Sequence, residues 1–307
     1  MASISRGFKY LFHNPSYFVD SILTNYLTSL PDKLYLSIRF RCKMGYWMNW
    51  KNPKTFNEKL QWLKLYNRNP EHTLIVDKYS AKDYVKSLIG EQYVIPTLGV
   101  WNTVQDIEWD KLPDRFVLKT THGGGNTGVV ICRDKATFDK ESAIKKLQQS
   151  LKSDIYRTYR EWPYKDVPKR IIAEKYIEDK NGELNDYKFT CTNGVAHNVM
   201  ICLERGSGDT KFYFFDKDWQ LLRLNKRGLE APENFTLPKP QNIDKMFEIA
   251  SKLSKGLPYA RVDLYNVDGA IYFGEITFFP QSGFDSNLLK RTDIEFGSLI
   301  DLNILDK

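Results

Sequence analysis

Long apolar runs are missing: no stretch of about 18 apolar residues occurs in the 307-residue chain, and the N-terminal segment has neither the apolar core nor the small-residue cleavage site of a secretory leader. Cytosolic residence is the expectation. Cysteine is scarce. Cys42, Cys132, Cys191 and Cys202 show no CxxC spacing and no flanking histidine cluster, which argues against a zinc site or a disulfide framework and leaves buried thiols. The four histidines, His13, His72, His122 and His197, are scattered, and no Ser-His-Asp arrangement is evident; only His122, beside a glycine run, is placed to touch a substrate. Repeats and low-complexity segments are also lacking.

What remains is an ordinary globular composition, 42% hydrophobic and 27% charged, enough to bury a sizeable core. The net charge of +7 is unevenly spread. Residues 1–60 hold nine cations (Arg6, Lys9, Lys33, Arg39, Arg41, Lys43, Lys51, Lys54, Lys59) against Asp20, Asp32 and Glu58, so +6 lies there. A basic head on a neutral body suggests a local anionic partner, a membrane surface or an acidic polymer, rather than nucleic acid. A solvated helical face gives the same charge pattern.

Apolar residues from Tyr17 to Leu30 follow a helical period, and Pro31-Asp32 opens a second helix toward Gly45. Aromatic and basic residues interleave there, which suits a membrane interface, a glycan surface or packing against the main domain. Further helices are expected at 57–66 and 71–89, the latter stopped by Gly90, and at 138–151 and 243–253. Strand signals run over 115–120, 129–133, 170–177, 187–192, 195–203, 211–215, 259–266 and 270–278. Asn181-Gly182, Asn193-Gly194 and Asp268-Gly269 read as hairpin turns. The class is α+β, helices first and antiparallel hairpins later, unlike a βαβαβ dinucleotide fold.

Three groups could carry chemistry. Lys119 ends a strand, and Gly123, Gly124, Gly125 and Gly128 fill the loop behind it. Glycines let backbone N–H groups wrap an anion that a nearby ammonium neutralises, although a hairpin tip has the same composition. No Gly-Lys-Ser/Thr follows, so this is not a Walker A loop. Arg261 and Asp263 share one strand face, as do Glu275 and Thr277 on the hairpin partner, and pairing across Asp268-Gly269 makes Asp263 and Glu275 near neighbours. Two adjacent carboxylates call for a cation: Mg²⁺ shared with phosphate oxygens, or Arg261 on an exposed face. Glu174 is embedded in the apolar strand Ile171–Ile177, while Asp186 and Lys188 share a face of the next; edge positions would explain such charges too.

In order, Asp77-Lys78, Val94-Ile95-Pro96, Phe116-Val117-Leu118-Lys119 with its glycine loop, Ile172-Ala173-Glu174-Lys175-Tyr176-Ile177, Arg261-Val262-Asp263 and Gly274-Glu275-Ile276-Thr277 resemble the ATP-grasp superfamily. Thr55-Phe56-Asn57-Glu58-Lys59-Leu60-Gln61-Trp62-Leu63-Lys64, Arg160-Glu161-Trp162 and Phe273–Phe278 look like its amidoligase-type branch associated with teichuronopeptide and bacterial surface-polysaccharide synthesis.

The resemblance implies two α+β subdomains gripping ATP, 71–175 and 176–307, behind a helical arm, 1–70. Lys78 and Lys119 would reach the ATP phosphates under the Gly123–Gly128 loop. Glu174 to Ile177 would face the adenine, with Lys175 and Ile177 backbone groups reading it, Asp186 near the ribose and Lys188 near the γ-phosphate. Asp263 and Glu275 would hold Mg²⁺, and Arg261 would stabilise the charge developing in phosphoryl transfer. The superfamily's asparagine after the second metal carboxylate is Thr277 here, a poorer oxygen ligand. The implied reaction is ATP-dependent joining of a carboxylate, a uronic acid of an acidic glycan or its precursor, to an amino acid, in the cytoplasm or peripherally at the membrane's inner face. A sugar kinase, a glycosyltransferase and a non-catalytic glycan-binding protein are the rivals.

Overall fold

In the computed structural model, which describes residues 15–125, 127–182, 184–203 and 210–303, the helices are α1 (Pro15–Tyr26), α2 (Asp32–Met44), α3 (Phe56–Tyr66), α4 (Glu71–Val76), α5 (Ala81–Ile89), α6 (Lys140–Leu151), α7 (Ile155–Tyr159), α8 (Lys226–Glu230), α9 (Ile243–Leu253) and α10 (Lys290–Leu299). The strands are β1 (Thr97–Trp101), β2 (Phe116–Thr120), β3 (Val129–Cys132), β4 (Ile171–Lys175), β5 (Asp186–Thr192), β6 (Val195–Leu203), β7 (Lys211–Phe215), β8 (Leu221–Leu222), β9 (Ala260–Val267) and β10 (Ala270–Thr277). Arg6 and Lys9 of the basic arm and Asn126 of the glycine loop lie outside the described residues. Of the expected buried thiols, Cys132 and Cys191 are buried, whereas Cys42 and Cys202 are only half-buried.

The chain forms two compact units, one from Met1–Arg68, Tyr156–Trp162 and Phe279–Lys307 and the other from Asn69–Ile155 and Pro163–Phe278. In the first, Thr55 and Glu58 close a capping box on α3, which satisfies backbone donors that a helix start otherwise leaves unpaired. α3 and α10 pack closely because Gly297 has no side chain: a Cβ there would stand 2.2 Å from Lys54 O. Gln281, Ser282 and Gly283 are all left-handed, with φ of 50°, 53° and 66°, a conformation costing non-glycine residues about 1–3 kcal/mol each. Buried Lys64 holds this turn, its ammonium donating to Ser282 O (2.8 Å), Ser282 Oγ (2.9 Å) and Tyr159 O (3.0 Å).

The second unit holds two antiparallel sheets, ordered β1-β4-β2-β3 and β10-β9-β5-β6-β7-β8. Phe116, Leu118, Leu147 and Ile171 form the core between the first sheet and α6. On the second, Phe189 meets Phe247 of α9 edge to face at 5.0 Å. Each fully buried side chain of this size contributes about 1.5–3 kcal/mol of transfer free energy. Asn193 (φ 45°) and Gly194 (φ 82°) make the tight β5–β6 turn, and Asp268 (φ 50°) and Gly269 (φ 92°) the β9–β10 turn, as their sequences predict. Asn181-Gly182 makes no hairpin, because β4 and β5 belong to different sheets.

The helix expected over 71–89 is two helices. Asp77 leaves helical geometry at ψ 111°, and its carboxylate accepts from Tyr79 N (3.2 Å), Ser80 Oγ (2.8 Å) and Arg170 Nη2 (2.5 Å). A short acceptor that satisfies local donors in this way competes with helix continuation. The break sets Lys78 apart from both helices.

Candidate nucleotide site

All fourteen candidate nucleotide, metal and catalytic residues of the sequence lie in the second unit. On its first sheet, Lys119 of β2 and Glu174 of β4 are diagonal neighbours on one face, since Val117 pairs with Glu174 and Lys119 with Ile172. Lys119 Nζ meets Glu174 Oε2 at 2.6 Å. The other carboxylate oxygen, Oε1, binds Lys82 of α5 at 2.6 Å, and Lys82 also donates to Ile95 O at 2.6 Å. Glu174 is thus an internal strand residue clasped by two cations, not an edge charge.

Lys78 is fixed at both ends. Its backbone N–H donates to Thr121 O (3.1 Å), its ammonium donates to Gly123 O, and Glu275 Oε2 lies 3.8 Å away. Two of the loop glycines have a packing reason beyond anion binding: a Cβ would meet Thr120 Oγ1 at 2.5 Å from Gly123 and 2.1 Å from Gly128. Gly125, at φ 58°, supplies the left-handed turn and Gly124 packs loosely. His122 is buried, with Nε2 against Ser150 O (3.2 Å), and burial pushes its pKa down. Through Nε2 it supports the base of the loop.

On the second sheet, cross-strand partners share a face, so the strand register lays out rows of side chains. Tyr272, Tyr265 and Asp186 form one row; Glu275, Asp263 and Lys188 the next; Thr277, Arg261 and Thr190 a third. Arg261 grips Asp263 with a two-pronged fork, Nε to Oδ1 and Nη2 to Oδ2, both 2.7 Å, and its Nη2 also reaches Glu275 Oε1 and Thr277 Oγ1 at 3.2 Å. Lys188 donates to Asp186 Oδ2 (2.7 Å) and to Asp263 Oδ2. The face is buried rather than exposed: Asp263 is 2% accessible.

Burial opposes every charge here, and neighbours decide the outcome. It raises the Asp263 pKa, with Arg261 and Lys188 only partly countering it and Asp186 and Glu275 adding to the rise. It would raise Glu275 as well, but Lys78, Arg261, Lys188 and Lys119 together hold that carboxylate down to about 2. Lys119 rises because Glu174 overcomes its desolvation, whereas Lys78, without so close an anion, falls. The result is a set of buried cations pinned by carboxylates.

A cleft of about 570 Å³ opens beside this network, lined among others by Lys82, Val94, Ile95, Pro96, Lys175, Ile177 and Tyr272. Its size and the apolar side chains among its mixed walls, Val94, Ile95, Pro96, Ile177 and Tyr272, suit an aromatic base. The Lys175 N–H donates to Pro96 O at 3.0 Å, which ties β4 to the Pro96 wall of the cleft.

A profile of TupA-like ATPgrasp domains matches residues 58–301. The chain belongs to the TupA-like ATP-grasp family. No curated protein matches it. Solved structures of similar fold include the D-alanine–D-alanine ligase of Helicobacter pylori (15% identity, covering 81% of this chain and 67% of that one, TM-score 0.45). The D-alanine–D-alanine ligase of Bacillus anthracis, complexed with ATP, is 16% identical over 76% of this chain and 64% of that one, TM-score 0.43. The ATP-grasp ligase PsnB, complexed with Mg, ADP and a phosphomimetic variant of its minimal precursor, is 11% identical over 91% and 71%, TM-score 0.43. This chain spans about two thirds of the length of these ligases.

In this ATP-grasp chain the nucleotide would be held by residues that the sequence exposes and by some that it hides. Lys82, Arg170 and Tyr265 are not singled out from the sequence, yet Lys82 pairs with Glu174, Arg170 with Asp77, and Tyr265 shares the row of Asp186. A magnesium ion fits the donor set. Asp263, Glu275 and Thr277 offer hard oxygens on adjacent strands, and Mg²⁺ in nucleotide sites takes one or two carboxylates with the phosphates completing its shell. A full protein cage is therefore not required, and among the described residues no three His, Cys, Asp or Glu side chains form one.

Proposed function

We propose that the protein is a Mg-ATP-dependent ligase that joins a carboxylate to an amine. The observation that carries this reading is the buried fork of Arg261 on Asp263, with Lys188 on the same carboxylate. Fixed charge without a nucleophile suits chemistry that rests on positioning and electrostatic stabilisation. Lys78, Lys119 and the Gly123–Gly128 loop take the phosphates, Lys188 the γ-phosphate, Asp186 the ribose, and the Ile177 side of the cleft the base. Bound Mg²⁺ would lie on Asp263 and Glu275, with Thr277 beside it, and supply a hard Lewis acid for the phosphate oxygens. The substrate carboxylate attacks the γ-phosphorus, ADP departs, and the amine displaces phosphate from the acyl phosphate while Arg261 balances the charge.

The carboxylate is read as a uronic acid of a bacterial surface polysaccharide or its precursor and the amine as an amino acid, supported by the amidoligase-type motifs and the basic N-terminal segment. Cytoplasmic residence with peripheral contact at the inner membrane face is part of this reading. Among the described residues no helix is long and apolar enough to cross a membrane, while Tyr26 (80% accessible), Trp47 (64%) and Tyr17 (55%) leave aromatic surface on the first unit.

Calorimetry with Mg-ATP on K119A and D263N, alongside ADP release with panels of uronic and amino acids, tests the assignment. ADP release that needs both acids supports ligation, and unaltered Mg-ATP affinity in both variants sinks the site. ADP with a phosphorylated product and no amine requirement selects a kinase.

A further inference from the structure

The third row of side chains on the second sheet continues past Arg261. Arg261 pairs with Thr190 and Thr190 with Asn198 of β6, so Thr277, Arg261, Thr190 and Asn198 cross four strands in register on one face. Asn198 is 2% and Thr190 6% accessible. Within this buried polar row, Asn198 Oδ1 has no hydrogen-bond partner, which is uncommon for a buried acceptor and costs free energy unless a ligand or ordered water completes it. The row beside it turns apolar beyond Lys188, through Met200, Phe214 and Leu222.

We propose that Thr190 and Asn198 form the subsite for the amine substrate, receiving an amino group on a carbon skeleton next to Arg261. The inference rests on the ligase reading and names the side from which the nucleophile arrives. Only an uncharged amine has the lone pair that attacks. Neutral acceptors beside a guanidinium favour that form, whereas a carboxylate in their place would hold the ammonium. The amine nitrogen forms the C–N bond, the C–O bond to phosphorus breaks with its electron pair leaving on phosphate, and the departing phosphate takes one N–H proton. Charged groups on this face are Asp186 and Lys188 of β5, Arg261 and Asp263 of β9 and Glu275 of β10, with Lys78 and Lys119 facing Glu275 from outside the sheet; His197, next to Asn198, is bonded to Thr192 Oγ1 at 2.7 Å.

The test is uronic-acid-dependent ADP release by the full chain, titrated with a mixture of the proteinogenic amino acids as amine probe. N198L and T190V are each expected to raise the amine KM roughly tenfold, the loss of one hydrogen bond, while calorimetric Mg-ATP affinity stays at the wild-type value and certifies the fold. N198D keeps the size and reverses the electrostatics, and is expected to move the acidic limb of the amine-dependent rate upward by about one pH unit. A site holding only a structural water would change stability and leave amine KM and pH profile alone; that result overturns the inference and spares the ligase reading. Wild-type protein without amine-dependent ADP release sinks both.

Discussion

Glu275 stands opposite Asp263 because the hairpin slips by one residue at Gly274. From Ala270↔Val267 to Phe273↔Leu264 the strands pair evenly; carried straight on, that register would set Gly274 against Asp263 and turn Glu275 with Val262 to the face that packs on α9. The irregularity between Phe273 and Glu275 shifts it, and Glu275↔Asp263, Ile276↔Val262 and Thr277↔Arg261 follow. A Cβ on Gly274 would lie 3.0 Å from Asp263 O and 3.2 Å from a Tyr265 ring carbon.

Gly274→Ala is therefore expected to crowd the bulge, destabilise by about 1–3 kcal/mol and depress Mg-ATP affinity by moving Glu275. Urea denaturation and nucleotide calorimetry on one preparation check both. Wild-type values in each would remove the bulge from the account.

Glu174→Gln leaves Lys82 and Lys119 facing each other without their shared anion. Breaking a buried ion pair from one side costs about 3–5 kcal/mol, and Glu174 is buried with both partners at 2.6 Å. The double variant E174Q/K82M should recover part of that loss. A merely additive double variant in chemical denaturation would mean that the pair is uncoupled.

His72 stacks on Phe278 at 4.3 Å, and burial pushes its pKa down from 6.5 to about 4. The native ring stays neutral between those values while the unfolded ring takes a proton, so stability is complete above pH 6.5 and falls as pH drops toward 4. The swing is roughly 3 kcal/mol. His72→Phe keeps the stacking and cannot titrate, so the wild-type minus H72F stability difference should change across this window. A flat difference contradicts the assignment.

Asp77→Ala removes the acceptor for Ser80, Tyr79 N and Arg170, and should let α4 and α5 drift toward a continuous helix. Lys78 then loses its setting, with Mg-ATP affinity expected to fall roughly tenfold through loss of a positioned charge contact. Helical ellipticity that rises as affinity falls would match; unchanged affinity would not.

Much of the site was legible before folding. Lys119 at a strand end, the glycine loop and Asp263 near Glu275 across Asp268-Gly269 are local patterns, set by turn chemistry and period-two alternation. Lys82 was not legible, since its partners Glu174 and Ile95 O are remote in sequence. The single helix expected over 71–89 failed for the same reason: apolar spacing cannot register an Asp77 whose carboxylate is claimed by distant Arg170. Asn181-Gly182 has hairpin composition, but only sheet assignment shows that no strand pair flanks it.

Sequence alone determined which side chains were available and the local turns and alternation that order them, because backbone sterics and periodicity act over a few residues. Tertiary structure decided which charges meet. The Gly274 slip sets one face of the hairpin, Glu174 is shared by two lysines, and Asn198 joins Arg261 in one row, because register and burial arise from contacts between segments far apart in the chain.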